Sequence, residues 1–419
     1  MSFEKISVVG LGYIGLPTAA MFASKKVTVL GIDHNKLVVD TINKGEIHIV
    51  EPLLASMVQQ VVNQGYLSAA IIPEPADAFL IAVPTPFKNS NNPIPEPDLT
   101  YIESAIQLIS PVLKKGDLVI LESTSPVGTT EKIAEWFSAL RDDLVFPEQG
   151  SGECDVNIAH CPERVLPGKV VKELVENDRV IGGISERCSE RASELYEIFV
   201  EGECVITNAR TAEMSKLTEN ACRDVQIAFA NELSMVCDNL DIDVWELISL
   251  ANRHPRINIL KPGPGVGGHC IAVDPWFIVS SSPEQAKLIF EARQVNMRKT
   301  QWAVDRIKAS LAEISVKLNK PVAELKVAYL GLAFKPNIDD LRESPALEVV
   351  DQLINFGAQY VCVEPNIIYL ADHPLVTIDE IINNCDLIVS LVKHDQFLAR
   401  KSDVLSSNSK LLDFCGLNE

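Results

Sequence analysis

Four glycines lead into one cysteine in the segment Gly263-Pro264-Gly265-Val266-Gly267-Gly268-His269-Cys270-Ile271-Ala272-Val273-Asp274-Pro275. Glycine-rich backbone lets a ligand approach closely. A thiol on such a loop is more accessible than one in an apolar helix. With a cation or a helix N-terminus nearby it can act as a thiolate nucleophile. The plainer alternative is a packing cysteine beside a loop, and for most of the ten cysteines that reading prevails. At Cys270 the glycine context favours the nucleophile. Lys216, Asn220 and Arg223 follow one another at i, i+4 and i+7. On a helix this spacing puts an ammonium, an amide and a guanidinium on one face, which suits an anion or a developing oxyanion. A solvated face is the competing reading. Against it, the alanine-rich surroundings suggest a mostly buried helix, where a lysine needs a partner.

The third constellation is Gly10-Leu11-Gly12-Tyr13-Ile14-Gly15, a G-x-G-x-x-G sequence with Asp33 about 20 residues on. Gly10 permits a tight turn, Gly12 lets backbone approach a pyrophosphate, and Gly15 allows close helix–strand packing. The helix N-terminus offers its N–H groups to phosphate. The Asp33 carboxylate suits ribose hydroxyls and would repel a 2′-phosphate, so NAD is favoured over NADP, although Lys36 lies nearby. A glycine turn in an α/β domain that binds no nucleotide is the competing reading. Val83-Pro84-Thr85-Pro86 and Glu122 through Thr130 place further hydroxyls at strand ends, where ligands of such sheets sit. Thr129 or Thr130 also reads as a helix cap.

These residues need elements to hold them. Strands are expected at Ile6–Val9, Val27–Ile32, Phe79–Val83, Leu118–Leu121, Val180–Gly182 and Cys204–Ile206, with a helix at Gly15–Ser24. From Thr211 to about Asn239 there is neither proline nor glycine. Met214, Leu217, Ala221, Val225, Ala228, Leu233 and Val236 recur there with helical period. Val244–Asn252 and Pro283 to about Leu318 read as further helices, and Arg256–Asp274 as a loop. Strands then return at Lys326–Leu330, Tyr360–Val363, Leu387–Val392 and Lys410–Phe414, with helices at Ala346–Asn355 and Ile378–Asn383. The pattern predicts α/β, then all-α, then α/β: residues 1–206, 207–320 and 321–419. The two α/β ends could share a fold, and the long helix is a plausible dimer surface.

Composition narrows the partners. Among 419 residues, 37 Lys and Arg stand against 57 Asp and Glu, a formal net charge of −20. Such a balance argues against nucleic acid or an anionic membrane surface as the main partner. With 47% hydrophobic and 22% charged residues the chain is globular rather than disordered. The cysteines include no C-x-x-C pair, so no structural zinc is expected. No basic leader opens the chain and no apolar stretch approaches the roughly 20 residues of a span. A reduced, cytoplasmic protein is expected, with no membrane insertion and no metal.

GLGYIG, ESTSPVGTT, CPERVLPG, AEMSKLTENACRDV, ANRHPRIN, PGVGGHCIAVDP and LGLAFKPNIDDLRESPA occur in this order along the chain. Together they resemble the UDP-sugar 6-dehydrogenases, the UDP-glucose/UDP-mannuronate dehydrogenase family. The resemblance implies two Rossmann-like parallel-sheet domains, the first for NAD and the second for UDP, joined by a long central helical dimerisation region. It implies oxidation of a sugar C-6 alcohol to a carboxylate by two NAD molecules in succession. GGHCI-x-VDP departs from the GGSCFPKD form of UDP-glucose enzymes, so a UDP-N-acetylhexosamine is expected. UDP-N-acetyl-D-mannosamine, oxidised for surface polysaccharide of the enterobacterial common antigen type, fits best. UDP-N-acetyl-D-glucosamine is the alternative, and a catalytically silent NAD-binding protein a third reading of another class.

By the same resemblance Cys270 attacks the aldehyde intermediate, and its thiohemiacetal is oxidised to a thioester that water hydrolyses. Lys216 and Asn220 match the base and oxyanion-stabilising pair. Asp274 matches the aspartate that positions water and orients the lysine, and Glu163 the glutamate that acts on water or the thioester. Arg164, Val165, Arg223 and Gly267 match substrate contacts, with Phe334 and Lys335 on a UDP-facing turn. His254 and Arg256 match a segment reaching into the partner's site in a homodimer; by themselves they read as a capping cluster. Gly10, Gly12, Tyr13, Ile14, Gly15, Asp33, Thr85, Thr124 and Thr130 match cofactor contacts, and Arg342 an arginine that touches NAD. These cations gather in motifs while the surplus carboxylates fall mostly outside them, so the net charge describes the exterior. The loop Lys88–Asp98 exceeds the expected pattern and reads best as a surface insertion.

Overall fold

A computed structural model describes residues 3–89, 92–148, 153–166, 168–268 and 270–419. The chain divides into two units, Met1–Thr218 and Glu219–Glu419. The division falls inside a single 31-residue helix, Ala209–Asn239.

The first unit is built on eight strands: β1 (Lys5–Val9), β2 (Thr28–Ile32), β3 (Leu67–Ala70), β4 (Ala78–Ile81), β5 (Leu118–Leu121), β6 (Asn157–His160), β7 (Arg179–Gly183) and β8 (Cys204–Asn208). Their order in the sheet is β3-β2-β1-β4-β5-β6-β7-β8. Every residue of β4, β5 and β6 is buried, as expected where helices cover both faces of a parallel sheet. Two hydrophobic clusters lie on its opposite faces. One contains Ile6, Leu16, Phe22 and Tyr196, the other Phe79, Ile106, Val119 and Phe137. The strand order reverses direction at β1/β4, the switch point where ligands of such folds bind. One pairing departs from the parallel expectation: β6 and β7 are antiparallel. β3 and β6 were not expected from the sequence. LSAA lacks β-branched residues and NIAH carries two polar ones, so neither has a strand signature of its own.

The second unit holds a four-stranded parallel sheet, β9 (Lys326–Leu330), β10 (Gln359–Val363), β11 (Leu387–Ser390) and β12 (Lys410–Asp413), ordered β10-β9-β11-β12. That order repeats β2-β1-β4-β5 of the first unit, so the two α/β ends share a topology. The helices Val244–Ala251, Asp274–Ser281 and Lys287–Leu318 precede it. Lys287–Leu318 joins the sheet's core through Ala303, Val304, Ile307 and Leu311. Between it and the Ala209–Asn239 helix runs a buried polar network. Asp224 accepts from Arg293 at 2.7 Å and Asn296 at 2.8 Å, and Asn296 accepts from Asn231 at 2.9 Å. No helix among the described residues is long and apolar enough to cross a membrane.

Candidate active site

In the first unit the glycine turn leaves β1 directly. The Gly10 amide donates to the Ile32 carbonyl at 2.8 Å, and its φ of +92° belongs to the glycine-favouring region. A Cβ at Gly12 would meet nothing within 4 Å, so backbone is open there to a ligand. The helix Gly15–Ser24 begins at Ile14 with no side-chain cap. Open backbone beside an uncapped helix N-terminus is what a pyrophosphate requires. Asp33 follows β2, accepting from Leu11 N at 3.1 Å and Asn35 N at 2.9 Å. The carboxylate is thereby fixed against the glycine turn, where a ribose would lie. Tyr13 is 43% exposed on the same turn. These residues fit NAD.

The hydroxyls of the neighbouring strand ends hold the protein together. Ser123 Oγ donates to Val83 O at 2.7 Å and accepts from Val83 N at 2.9 Å, joining the ends of β4 and β5. Thr85 Oγ1 donates to Thr124 O at 2.6 Å. Thr130 is fully buried, with its hydroxyl and amide donating to Glu213 at 2.6 and 2.7 Å. Glu213 also accepts from Gly128 N at 2.6 Å, so it caps the helix Thr129–Leu140 from the long helix. Burial pushes its carboxyl up, opposed by those hydrogen bonds. The sequence reading missed Glu213 because a cap reaching across 83 residues leaves no local pattern. The Lys88–Asp98 segment is pinched at its base by Lys88 N to Glu96 O (2.8 Å) and Asp98 N to Pro86 O (2.7 Å). Its tip at residues 90 and 91 lies outside the described residues.

Glu163 lies just beyond β6 and is buried. Its Oε1 accepts from Arg164 N at 2.6 Å and its Oε2 from Arg179 Nη1 at 3.0 Å. Arg179 opens β7 and is itself 3% exposed. Arg164 and Val165 follow, half-buried. On the long helix Lys216 is half-buried; the sequence suggested a mostly buried face.

In the second unit Asn220 is half-buried and Arg223 exposed. Asn220 Nδ2 donates to Asp274 Oδ2 at 2.6 Å. Asp274 is 3% exposed and begins the helix Asp274–Ser281. Cys270 is exposed one turn earlier, and its carbonyl accepts from Val273 N and Asp274 N at 3.0 and 2.8 Å. One short turn therefore holds the candidate nucleophile beside Asp274, the partner of Asn220. His269 lies outside the described residues.

The glycine loop is seated on the turn after β9. Gly268 N donates to Arg342 O at 3.3 Å, with φ +81°. A Cβ there would lie 2.9 Å from the Phe334 ring, and one on Gly267 would collide with the Glu343 carbonyl. Upstream, Gly263 N is held by Asn231 Oδ1 at 2.9 Å. Phe334 and Lys335 are half-buried, and Arg342 pairs with Asp340 through two of its nitrogens. This turn is anchored from below. Glu364 follows β10 and accepts from Leu332 N (2.7 Å), Ala333 N (3.1 Å) and buried His394 (3.1 Å). His394 Nδ1 accepts from Asn337 N at 2.9 Å. Burial pushes the Glu364 carboxyl up, but the bonds from His394 and Leu332 prevail and hold it below the usual range. Glu364 thus occupies the place in this sheet that Asp33 occupies in the first. Sequence reading missed it, though an acid ending the second strand was a signal. His254 and Arg256 are exposed on a turn, with Arg256 N donating to His254 Nδ1 at 3.4 Å.

All three segments of the chain match one family. Residues 4–200 match the NAD binding domain of the UDP-glucose/GDP-mannose dehydrogenase family, 210–298 its central domain and 328–416 its UDP binding domain. The chain is 60% identical over 409 residues to UDP-N-acetyl-D-mannosamine dehydrogenase of Escherichia coli (strain K12), covering 96% of each. It is 57% identical over 413 residues to an NDP-N-acetyl-D-galactosaminuronic acid dehydrogenase of Ralstonia nicotianae, covering 97% of this chain and 95% of that one. The solved UDP-D-ManNAc dehydrogenase of Pyrococcus horikoshii is 39% identical, with a TM-score of 0.86 over 99% of this chain and 96% of that one. With a nucleotide turn, an exposed cysteine on a glycine loop and matches along its length, the chain belongs to the UDP-glucose/GDP-mannose dehydrogenase family.

Proposed function

We propose that this enzyme oxidises UDP-N-acetyl-D-mannosamine at C-6 to UDP-N-acetyl-D-mannosaminuronate. The observation that carries the substrate is 60% identity over 96% of the chain to an enzyme of that name. NAD, when bound, supplies the acceptor for both hydrides. Lys216 takes the proton of the C-6 alcohol as the first hydride leaves. The aldehyde carbon is attacked by Cys270 Sγ, and Asn220 steadies the oxygen of the thiohemiacetal. Loss of a second hydride leaves a thioester on Cys270. Water adds to its carbonyl carbon, the C–S bond breaks, and Cys270 departs as thiolate while Glu163 receives the water's proton. Asp274 holds Asn220 through the 2.6 Å hydrogen bond.

The reading extends to the assembly and its setting. Phe229, Val236 and Leu250 on the central helices, with Leu240, Ile242 and Ile257 on the turns beside them, leave apolar surface exposed, which supports a homodimer through residues 207–320. His254 and Arg256 then serve the partner's site. The product enters surface polysaccharide of the enterobacterial common antigen type, made in the cytoplasm.

A second reading rests on the Ralstonia relative, 57% identical and named for an N-acetylgalactosaminuronic acid. Incubation with NAD and each of UDP-N-acetyl-mannosamine, -glucosamine and -galactosamine separates these readings. Two NADH per sugar with the manno epimer alone is expected. Turnover of the galacto epimer alone favours the second reading, and of the gluco epimer the glucosamine alternative. One NADH per sugar removes the thioester step, and none with any sugar refutes the enzyme reading.

A further inference from the structure

Behind Glu163 lies a buried cluster with one guanidinium and two carboxylates. Arg179 Nη1 holds Glu163 Oε2 at 3.0 Å, with side chains only 4% and 7% exposed. Glu122 follows β5 and is 2% exposed. Its Oε1 accepts from the Tyr196 hydroxyl at 2.6 Å, and the Arg179 guanidinium lies over the Tyr196 ring at 5.0 Å. Two atoms of the cluster are buried without a hydrogen-bond partner, Glu122 Oε2 and Arg179 Nη2. A buried acceptor and a buried donor in one cluster, both unsatisfied, are costly and call for a state in which they are satisfied.

We propose that Glu122 and Arg179 are positioning residues for Glu163, and that ionisation of Glu122 divides the Arg179 guanidinium between the two carboxylates. The inference rests on the role given above to Glu163 at the thioester. While Glu122 is neutral, Arg179 serves Glu163 alone and opposes its taking a proton. Once Glu122 is an anion, it competes for the guanidinium and adds negative charge beside Glu163, which strengthens Glu163 as a base toward water.

The groups facing Glu122 are Arg179 of β7, Glu163 and Cys161 beyond β6, and Tyr196 of the helix Glu186–Tyr196. Burial pushes the Glu122 carboxyl up to about 7, with Glu163 adding to the rise and Arg179 and the Tyr196 bond opposing it. The change of state therefore falls near neutral pH. Cys161 stays a thiol, because burial pushes it up to about 12.

The test follows thioester hydrolysis in single turnovers with NAD and UDP-N-acetyl-mannosamine, by mass spectrometry of the acyl adduct on acid-quenched protein. In the native enzyme the rate should rise through about pH 7. Glu122→Gln should lose that limb and hydrolyse about 10-fold more slowly above it, an order set by general-base effects. Tyr196→Phe removes a donor to the ionised carboxylate, so the limb should move to higher pH; this variant carries the test if Glu122→Gln fails to fold. A limb unchanged in both variants, while Glu163→Gln slows hydrolysis, overturns the inference. Unchanged hydrolysis in Glu163→Gln overturns the underlying role of Glu163 instead.

Discussion

Cys270 differs from its nine counterparts in setting more than in chemistry. Cys161, Cys188, Cys237 and Cys362 are buried and Cys222 is exposed within the long helix, while Cys270 is exposed on a glycine loop and joined through its own carbonyl to the start of a helix. Accessibility separates a nucleophile from a packing thiol. Cys270→Ser is expected to leave NAD affinity unchanged and to cut uronate formation by about 10³-fold or more, measured by product chromatography. Unaltered turnover would remove the cysteine from the reaction. The Asn220–Asp274 contact makes a second prediction at this scale. Asn220→Asp faces a buried carboxylate with another across a 2.6 Å contact and removes the donor. It should destabilise the second unit by about 2 kcal/mol or more in urea titration, since like charges cannot share such a bond. A stability within error of the native chain would mean that the bond is not formed in solution.

Elements set these side chains through long-range anchors. The helix Thr129–Leu140 follows Gly128 and has no cap of its own, so Glu213 supplies one. Glu213→Ala should cost about 2 kcal/mol, the upper end for losing a cap, and thermal unfolding would show it. A negligible shift in Tm would indicate that solvent replaces the carboxylate. The glycine loop presents the opposite case, in which added bulk is harmful. Gly268→Ala combines a left-handed φ with a Cβ 2.9 Å from the Phe334 ring. The expected result is a lower kcat with near-native NAD binding, because the loop carrying Cys270 must lift from its seat. Full activity would show that the seat does not position the thiol.

For the whole molecule, two buried titrating groups give stability opposite slopes with pH. Lys299 is 2% exposed on the Lys287–Leu318 helix, with its ammonium 2.7 Å from Ser234 Oγ and 3.6 Å from the Trp302 ring centroid. Burial draws it down to about 7 from 10.5, against the pull of Asp238. Between those values the unfolded chain binds more protons than the folded one, so stability rises with pH there. Glu122 works the other way. Its folded value of about 7 exceeds 4.5, so the folded chain binds more protons and stability falls as pH climbs between them. Lys299→Met should flatten the alkaline rise and Glu122→Gln the acid-side fall, each read from urea midpoints across pH. Unchanged slopes in either variant would assign the dependence to other groups.

Strand and helix boundaries were legible wherever local pattern dominates. The glycine turn, β1, β2 and the long central helix appear within a few residues of their expected places, because alternation, periodicity and glycine are properties of neighbouring residues. Motif order likewise points to the family, because each motif is a run of neighbouring residues. Only the folded chain decided who satisfies whom. Glu213 with Thr130, Glu122 with Tyr196, and Glu364 with His394 are separated by 83, 74 and 30 residues. A buried carboxylate requires a donor, but sequence distance says nothing about which donor the fold delivers. The residue types and their spacing therefore determined the family. Tertiary structure alone decided the bonds that hold Asp274 and Glu163, since burial and partnership arise only when distant segments pack.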